Sequence, residues 1–264
     1  MRKHVLIVTL AAVSVAFVAC NKQEDKPLAK QNDKAVAPQV HWGYEGEGAA
    51  EKWASLKPEY ATCKNGKQQS PIDIQSATLT EKAEPITFDY KSSAENITNN
   101  GHTLQINMAK GSSITVAGKR YELLQFHFHS PSEHTVDGKA ADMVAYLVHK
   151  SADGQLGVIA VLMNKGAAHP GLAKLWANLP AKIGTSIPLT AAGFNAAELL
   201  PSKRGYYSYA GSLTTPPCTE GVNWMVLRTA VDISAEQIAA FSTIIPKSAR
   251  PVQPLNGRLI KAGE

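Results

Sequence analysis

After about residue 40 the chain is built from short apolar runs broken by turn residues. Ile86-Thr87-Phe88-Asp89-Tyr90 alternates, with Ile86, Phe88 and Tyr90 on one face, as a strand covered on one side would. Thr103 to Met108 alternates in part. Ser113 to Val116 runs into Ala117-Gly118-Lys119-Arg120, which predicts a hairpin turn, and Tyr121 to His129 follows as its partner. Met143 to His149 and Leu156 to Met163 are apolar runs separated by the turn signal Ser151-Ala152-Asp153-Gly154. Such runs suit central strands covered on both faces, and by pattern alone they also suit a buried helix. Helical patterns are few: Glu51 to Leu56 is short, and Pro170 to Leu179 and Ser234 to Thr243 are better. In the last of these Ser234 is an N-cap with Gln237 at capping-box spacing. No internal repeat is present. The pattern predicts one mainly β domain over residues 40–264 with few helices.

The first 39 residues follow different rules. Arg2, Lys3 and His4 precede an uncharged, mostly apolar stretch from Val5 to Ala19, too short for a membrane span and suited to a signal peptide over residues 1–19. Phe17-Val18-Ala19-Cys20 resembles a bacterial lipoprotein cleavage box, with Phe where Leu is usual, so Cys20 is a candidate lipid anchor. An ordinary secretory peptide cut nearby would export the protein equally. Residues 20–39 are rich in Lys, Gln, Asp, Ala and Asn and read as a flexible tether. The expected location is therefore outside the cytosol, in the periplasm or membrane-anchored as a lipoprotein.

Composition narrows the classes. Hydrophobic residues make up 44% of the 264, enough for a sizeable core, and charged residues 19%. The net charge of +5 owes much to Arg2, Lys3, Lys22, Lys26, Lys30 and Lys34. No basic run is interleaved with aromatics, so no nucleic-acid partner is expected, and the basic tail reads as solvated. Of the three cysteines, setting Cys20 aside leaves Cys63 and Cys218, which an exported protein can pair.

The candidate chemistry centres on Gln125-Phe126-His127-Phe128-His129 and Ser132-Glu133-His134. His127 and His129, at i and i+2 of a strand, point to one face and can grip one metal ion. Glu133 is either a further ligand, as in the His-x-His-x(3–4)-Glu segment of cupins, or an acceptor that orients another group. The short motif leaves both open.

Distant segments add to it. Trp42-Gly43-Tyr44, Gln69-Ser70-Pro71-Ile72-Asp73-Ile74, Asn99-Asn100-Gly101-His102, the two histidine segments, Ser212-Leu213-Thr214-Thr215-Pro216-Pro217-Cys218 and Arg250 to Asn256 occur in this order. The order resembles that of α-carbonic anhydrases over about residues 41 to 260. The resemblance implies that family's mainly β fold, a single domain on a large twisted, mostly antiparallel central sheet with a few short helices. It also implies Zn2+ held by three histidines and a water, whose pKa falls to about 7, the established figure for carbonic anhydrases themselves. Hydroxide then attacks carbon dioxide, bicarbonate leaves, and a proton is carried to solvent.

Carried over by position, the resemblance makes His127 and His129 metal ligands and Gln125 the partner of the first. It makes Thr214 the acceptor for the zinc-held hydroxide, Glu133 the carboxylate that fixes Thr214, and Thr215 its neighbour in the pocket. His102 becomes the proton shuttle, with Tyr44 and Asn100 ordering water beside it. Val148, Val158, Leu213, Val222 and Trp224 become the apolar wall that receives carbon dioxide. Cys63 and Cys218 look like the disulfide of bacterial members. His134 and His149 read as structural, and His4, His41 and His169 carry no signal.

One strand departs from the family. Where members read approximately Met-Glu-x-His-Leu-Val-His, this chain has Met143-Val144-Ala145-Tyr146-Leu147-Val148-His149. Tyr146 stands at the third ligand position and Val144 at that of the glutamate supporting the ligand. Both share one face, and His149 falls on the other unless a bulge intervenes. A neutral phenol filling the position is the simpler expectation, since ionising it is costly near its ordinary pKa of about 10. The expected function is zinc-dependent hydration of carbon dioxide. The alternatives are a catalytically impaired binding or surface protein, and a metal-dependent hydrolase using the same cleft.

Overall fold

The computed structural model describes residues 40–264 apart from 80, 92 and 190–192. The predicted signal peptide 1–19, Cys20 and the tether 20–39 lie outside the described residues.

Seven strands position the site: β1 (Ala94–Asn99), β2 (Leu104–Met108), β3 (Lys119–His129), β4 (Met143–Ser151), β5 (Leu156–Lys165), β6 (Tyr206–Ser212) and β7 (Glu220–Leu227). They run β1-β2-β3-β4-β5-β7-β6 through the middle of a sheet that holds 13 strands among the described residues. Neighbours are antiparallel except β5 and β7, which are parallel. The fold is thus mainly β, on a large mixed sheet with few short helices. The predicted hairpin is present, but its turn is only Ala117-Gly118, both at positive φ, and Lys119 already belongs to β3. The helix Ala235–Ile244 starts at Ser234, and both bonds of the capping box with Gln237 form.

The alternation in β3 changes phase at Leu124. Val148 pairs with Gln125 and His149 with Leu123, so Leu124 is an extra residue on β3, a β-bulge, and its side chain is exposed. Tyr121, Leu123, Phe126 and Phe128 therefore all enter the main core, although their numbers differ in parity. Gln125, His127 and His129 turn to the opposite face. Truncating Phe126 or Phe128, both fully buried, would cost roughly 3–5 kcal/mol.

That opposite face carries a second apolar layer with Val144, Tyr146, Val158, Ala160, Val222 and Trp224. Gly211 on β6 is needed beneath it, because a Cβ there would collide with the Ser70 hydroxyl and stand 2.7 Å from Trp224. A third cluster joins Trp53 to the disulfide Cys63–Cys218, which closes a separation of 155 residues.

Candidate active site

The site forms where the register brings one row of each central strand into line. Tyr146 lies opposite His127 on β3, and Val144 opposite His129. Val148 lies between Gln125 and Val158, and Val158 next to Trp224. Above this row opens a cavity of about 200 Å³. Of the residues named from the sequence, Tyr44, Asn100, His102, Gln125, His127, His129, Tyr146, Val148, Val158, Leu213, Thr214, Thr215 and Trp224 line it. Val222 is buried in the layer behind.

The two histidines are held in defined tautomers. His127 Nδ1 bonds Gln125 Oε1 at 2.9 Å, and His129 Nδ1 bonds the Ser248 carbonyl at 2.5 Å. Both partners accept, so each Nδ1 carries the proton and each Nε2 keeps a lone pair. His129 Nε2 is buried with no hydrogen-bond partner. The ring centroids of His127 and His129 are 5.1 Å apart, and both rings face Tyr146, at 5.8 and 5.1 Å. Burial, aided by the neighbouring His129, holds the pKa of His127 well below the ordinary imidazole value.

Tyr146 is occupied elsewhere. Its hydroxyl bonds His134 Nδ1 at 2.7 Å, His134 Nε2 bonds the Tyr209 hydroxyl at 2.6 Å, and that hydroxyl bonds Ser70 Oγ at 2.8 Å. Burial, reinforced by the charge of Glu133, raises the phenol pKa well above its ordinary value, so Tyr146 is neutral. Burial likewise lowers His134 to about 3. His134, read as structural from the sequence, is the hinge of this chain of hydroxyls. His149 stays on the far face, because the bulge falls in β3 and not in β4. There its Nδ1 bonds the Gly157 carbonyl at 3.3 Å and its Nε2 bonds the Tyr90 hydroxyl at 2.8 Å.

Glu133 departs from its expected partner. Its Oε1 accepts from the Arg250 amide at 2.9 Å, and its buried Oε2 has no hydrogen-bond partner and stands 3.7 Å from His129 Nε2. Among the described residues no hydrogen bond joins Glu133 to Thr214; the Arg250 amide takes Oε1, and Oε2 is left over. Asn100 Oδ1 is likewise committed to the turn, accepting from the amides of His102 and Thr103 at 3.0 Å each. The buried Tyr44 hydroxyl is unpartnered.

Three supports were not read from the sequence as parts of the site. Arg250, itself buried, bonds Gln69 Oε1, Ser70 O and Cys63 O at 2.7–2.9 Å, tying the disulfide lobe to the cleft. Trp42 stacks on His102 at 3.6 Å, and His41 bonds His102. Arg250, Ser70 and Trp42 stand in segments that carried the resemblance. His41 had no signal at all.

The donor chemistry fits a metal at two positions and fails at the third. His127 and His129 offer preset nitrogen lone pairs, and the lone unpaired nitrogen and carboxylate oxygen beside them are unusual in a buried layer. Among the described residues, however, no three His, Cys, Asp or Glu side chains are grouped to hold an ion.

Comparison with known proteins shows what the chain resembles. A family model for eukaryotic-type carbonic anhydrases matches residues 47–264. A carbonic anhydrase of Pectobacterium carotovorum is 44% identical over 223 residues, 84% of this chain and 90% of that protein. Among solved structures, the α-carbonic anhydrase of Thermovibrio ammonificans in complex with the inhibitor sulfanilamide has a TM-score of 0.81 and 45% identity. The match covers 85% of this chain and 99% of that one. Dioscorin complexed with ascorbate has a TM-score of 0.79 and 30% identity, over 84% and 98%.

Proposed function

Because the chain belongs to the α-carbonic anhydrase family, and so by resemblance to the carbonate dehydratases, we propose that its cleft interconverts carbon dioxide and bicarbonate at a zinc ion held by His127 and His129. The observation that carries this reading is the pair of fixed tautomers, which keep an Nε2 lone pair on each of two histidines lining a cavity with an apolar wall. Zinc, when bound, would supply the Lewis acidity that makes water a nucleophile at neutral pH. The chain's own residues do the rest. Val148, Val158, Leu213 and Trp224 keep a dry surface for carbon dioxide, with Val222 backing it. Thr214 and Thr215 offer hydroxyls beside the two histidines, and His102 at the mouth moves the proton. Tyr146 makes the hold on the metal weaker than three imidazoles would, because its neutral hydroxyl is committed to His134.

The test is carbon dioxide hydration by the full chain with zinc content measured in parallel. Activity that tracks zinc and disappears in His127→Ala upholds the reading. A parent chain that neither holds zinc nor hydrates carbon dioxide overturns it.

The bond between Tyr146 and His134 favours a second reading, in which the cleft binds a small oxygen-rich molecule without turnover. Dioscorin, similar in fold, is described with ascorbate, and direct binding of bicarbonate or ascorbate to a zinc-free, inactive chain would select this reading. We further propose export through residues 1–19 with a lipid on Cys20. The buried disulfide supports an oxidising compartment. Palmitate labelling that persists in Cys20→Ala would refute the lipid assignment.

A further inference from the structure

We propose that His41 is the outer half of a two-imidazole proton relay, sharing one proton with His102 and exchanging it with solvent. The inference rests on the reading of the cleft as a site of carbon dioxide hydration, which releases one proton in each turnover.

The geometry is specific to the mouth of the cleft. His41 Nε2 and His102 Nε2 are 3.1 Å apart, a hydrogen bond in which one ring donates N–H and the other accepts. The ring centroids are 5.1 Å apart at 36°. His102 is half-buried and lines the cavity, whereas His41 is exposed and stands outside that lining. The pair therefore bridges cavity and solvent with a single short contact.

His102 is fixed in place from two sides. Trp42 stacks flat on its ring at 10°, and the Asn100 side chain holds the amides of His102 and Thr103. A ring so held cannot swing outward freely to deliver a proton. It needs a partner already in reach, and His41 is that partner. Only N–H bonds break and form. One proton enters the pair on the cavity side and one leaves on the solvent side, so charge and atoms balance with no further reagent.

Burial, then the influence of His41, lowers His102 to about 4, so near neutral pH His102 is a neutral ring that holds an added proton only in passing. Among the described residues, His41 is the titratable side chain bonded to His102. The other side chains around the pair are the indole of Trp42 and the amide of Asn100, which do not titrate, and Tyr44, whose buried hydroxyl stays protonated.

The experiment uses the full chain and two variants, His41→Ala and His41→Gln. Gln keeps a hydrogen-bonding side chain and cannot carry the proton. In dilute buffer, kcat for carbon dioxide hydration should fall by about 10-fold or more in both variants, with kcat/KM unchanged and added imidazole restoring kcat. An unchanged kcat, or recovery in His41→Gln without imidazole, would overturn the relay. In parallel, histidine-selective ¹⁵N NMR should show coupling between the two Nε2 nuclei and linked titration of both rings. If the parent chain is silent toward carbon dioxide, the proposed function falls and the NMR decides the pair alone. Linked titration then upholds the shared proton, and independent titration refutes it.

Discussion

Strand β4 carries two buried pairings of histidine with tyrosine, one on each face. On the cleft face Tyr146 bonds His134, and on the core face His149 bonds Tyr90. The distances are 2.7 and 2.8 Å, and in both cases burial lowers the histidine pKa, to about 3 for His134 and about 4 for His149. By burial and hydrogen bonding alone the two would be assigned the same role. Their surroundings separate them. His149 is fully satisfied, by Tyr90 and by the Gly157 carbonyl. Around Tyr146, His129 Nε2 and Glu133 Oε2 are left without protein partners in a buried layer. A neutral histidine–tyrosine pair is a sound way to bury polarity, and it marks a functional site only where polar atoms beside it remain unsatisfied.

The comparison breaks most sharply at the metal. The double change Val144→Glu, Tyr146→His should raise zinc affinity by at least about 100-fold, because it adds a ligand together with its acceptor. Tyr146→His alone should gain about 10-fold less, as Val144 offers its second ring nitrogen no acceptor. Equilibrium dialysis against a zinc indicator reads both, and equal affinities for parent and double variant would show that Tyr146 is not what weakens the site.

Acid stability tests the core-face pair. The folded pKa of His149 is about 4, below the ordinary 6.5, so between those values the unfolded chain binds more protons. Its contribution is full above about pH 6.5 and is lost as pH falls toward 4. From pH 7 to 5 the parent should lose roughly 2 kcal/mol more stability than His149→Ala in urea unfolding. Parallel losses in both chains would mean that His149 is not buried neutral.

The smallest effect compares the two hydroxyls directly. Tyr146→Phe and Tyr90→Phe each leave a buried ring nitrogen unpaired, at a cost on the order of 1–2 kcal/mol. Thermal unfolding measures both. A free Tyr146→Phe beside a costly Tyr90→Phe would place His134 in contact with something other than Tyr146.

Much of the fold was legible because its strands obey simple alternation. Ile86, Phe88 and Tyr90, the apolar runs of β4 and β5, and the Ser234 cap all stand where local pattern puts them. Where two patterns met, the reading was incomplete. The hairpin turn came out two residues too long, because Lys119 and Arg120 look like turn residues and yet pair in β3. The phase change at Leu123-Leu124 is written in the chain, since Tyr121 and Leu123 are odd and Phe126 and Phe128 even. A strict two-residue period hides it.

The candidate site divides along a similar line. Residue type and order put forward His127, His129, Glu133, His102 and Thr214 as one group, and Tyr146 as standing where the resemblance expects an imidazole. Those are chemical identities, and they need no coordinates. Tertiary structure decided where each polar atom points. It gave one oxygen of Glu133 to the Arg250 amide and the Tyr146 hydroxyl to His134, and brought His41 to His102 across 61 positions of chain. A side chain's hydrogen-bond partner depends on which distant segments the sheet register and loops deliver to it, and no local pattern carries that information.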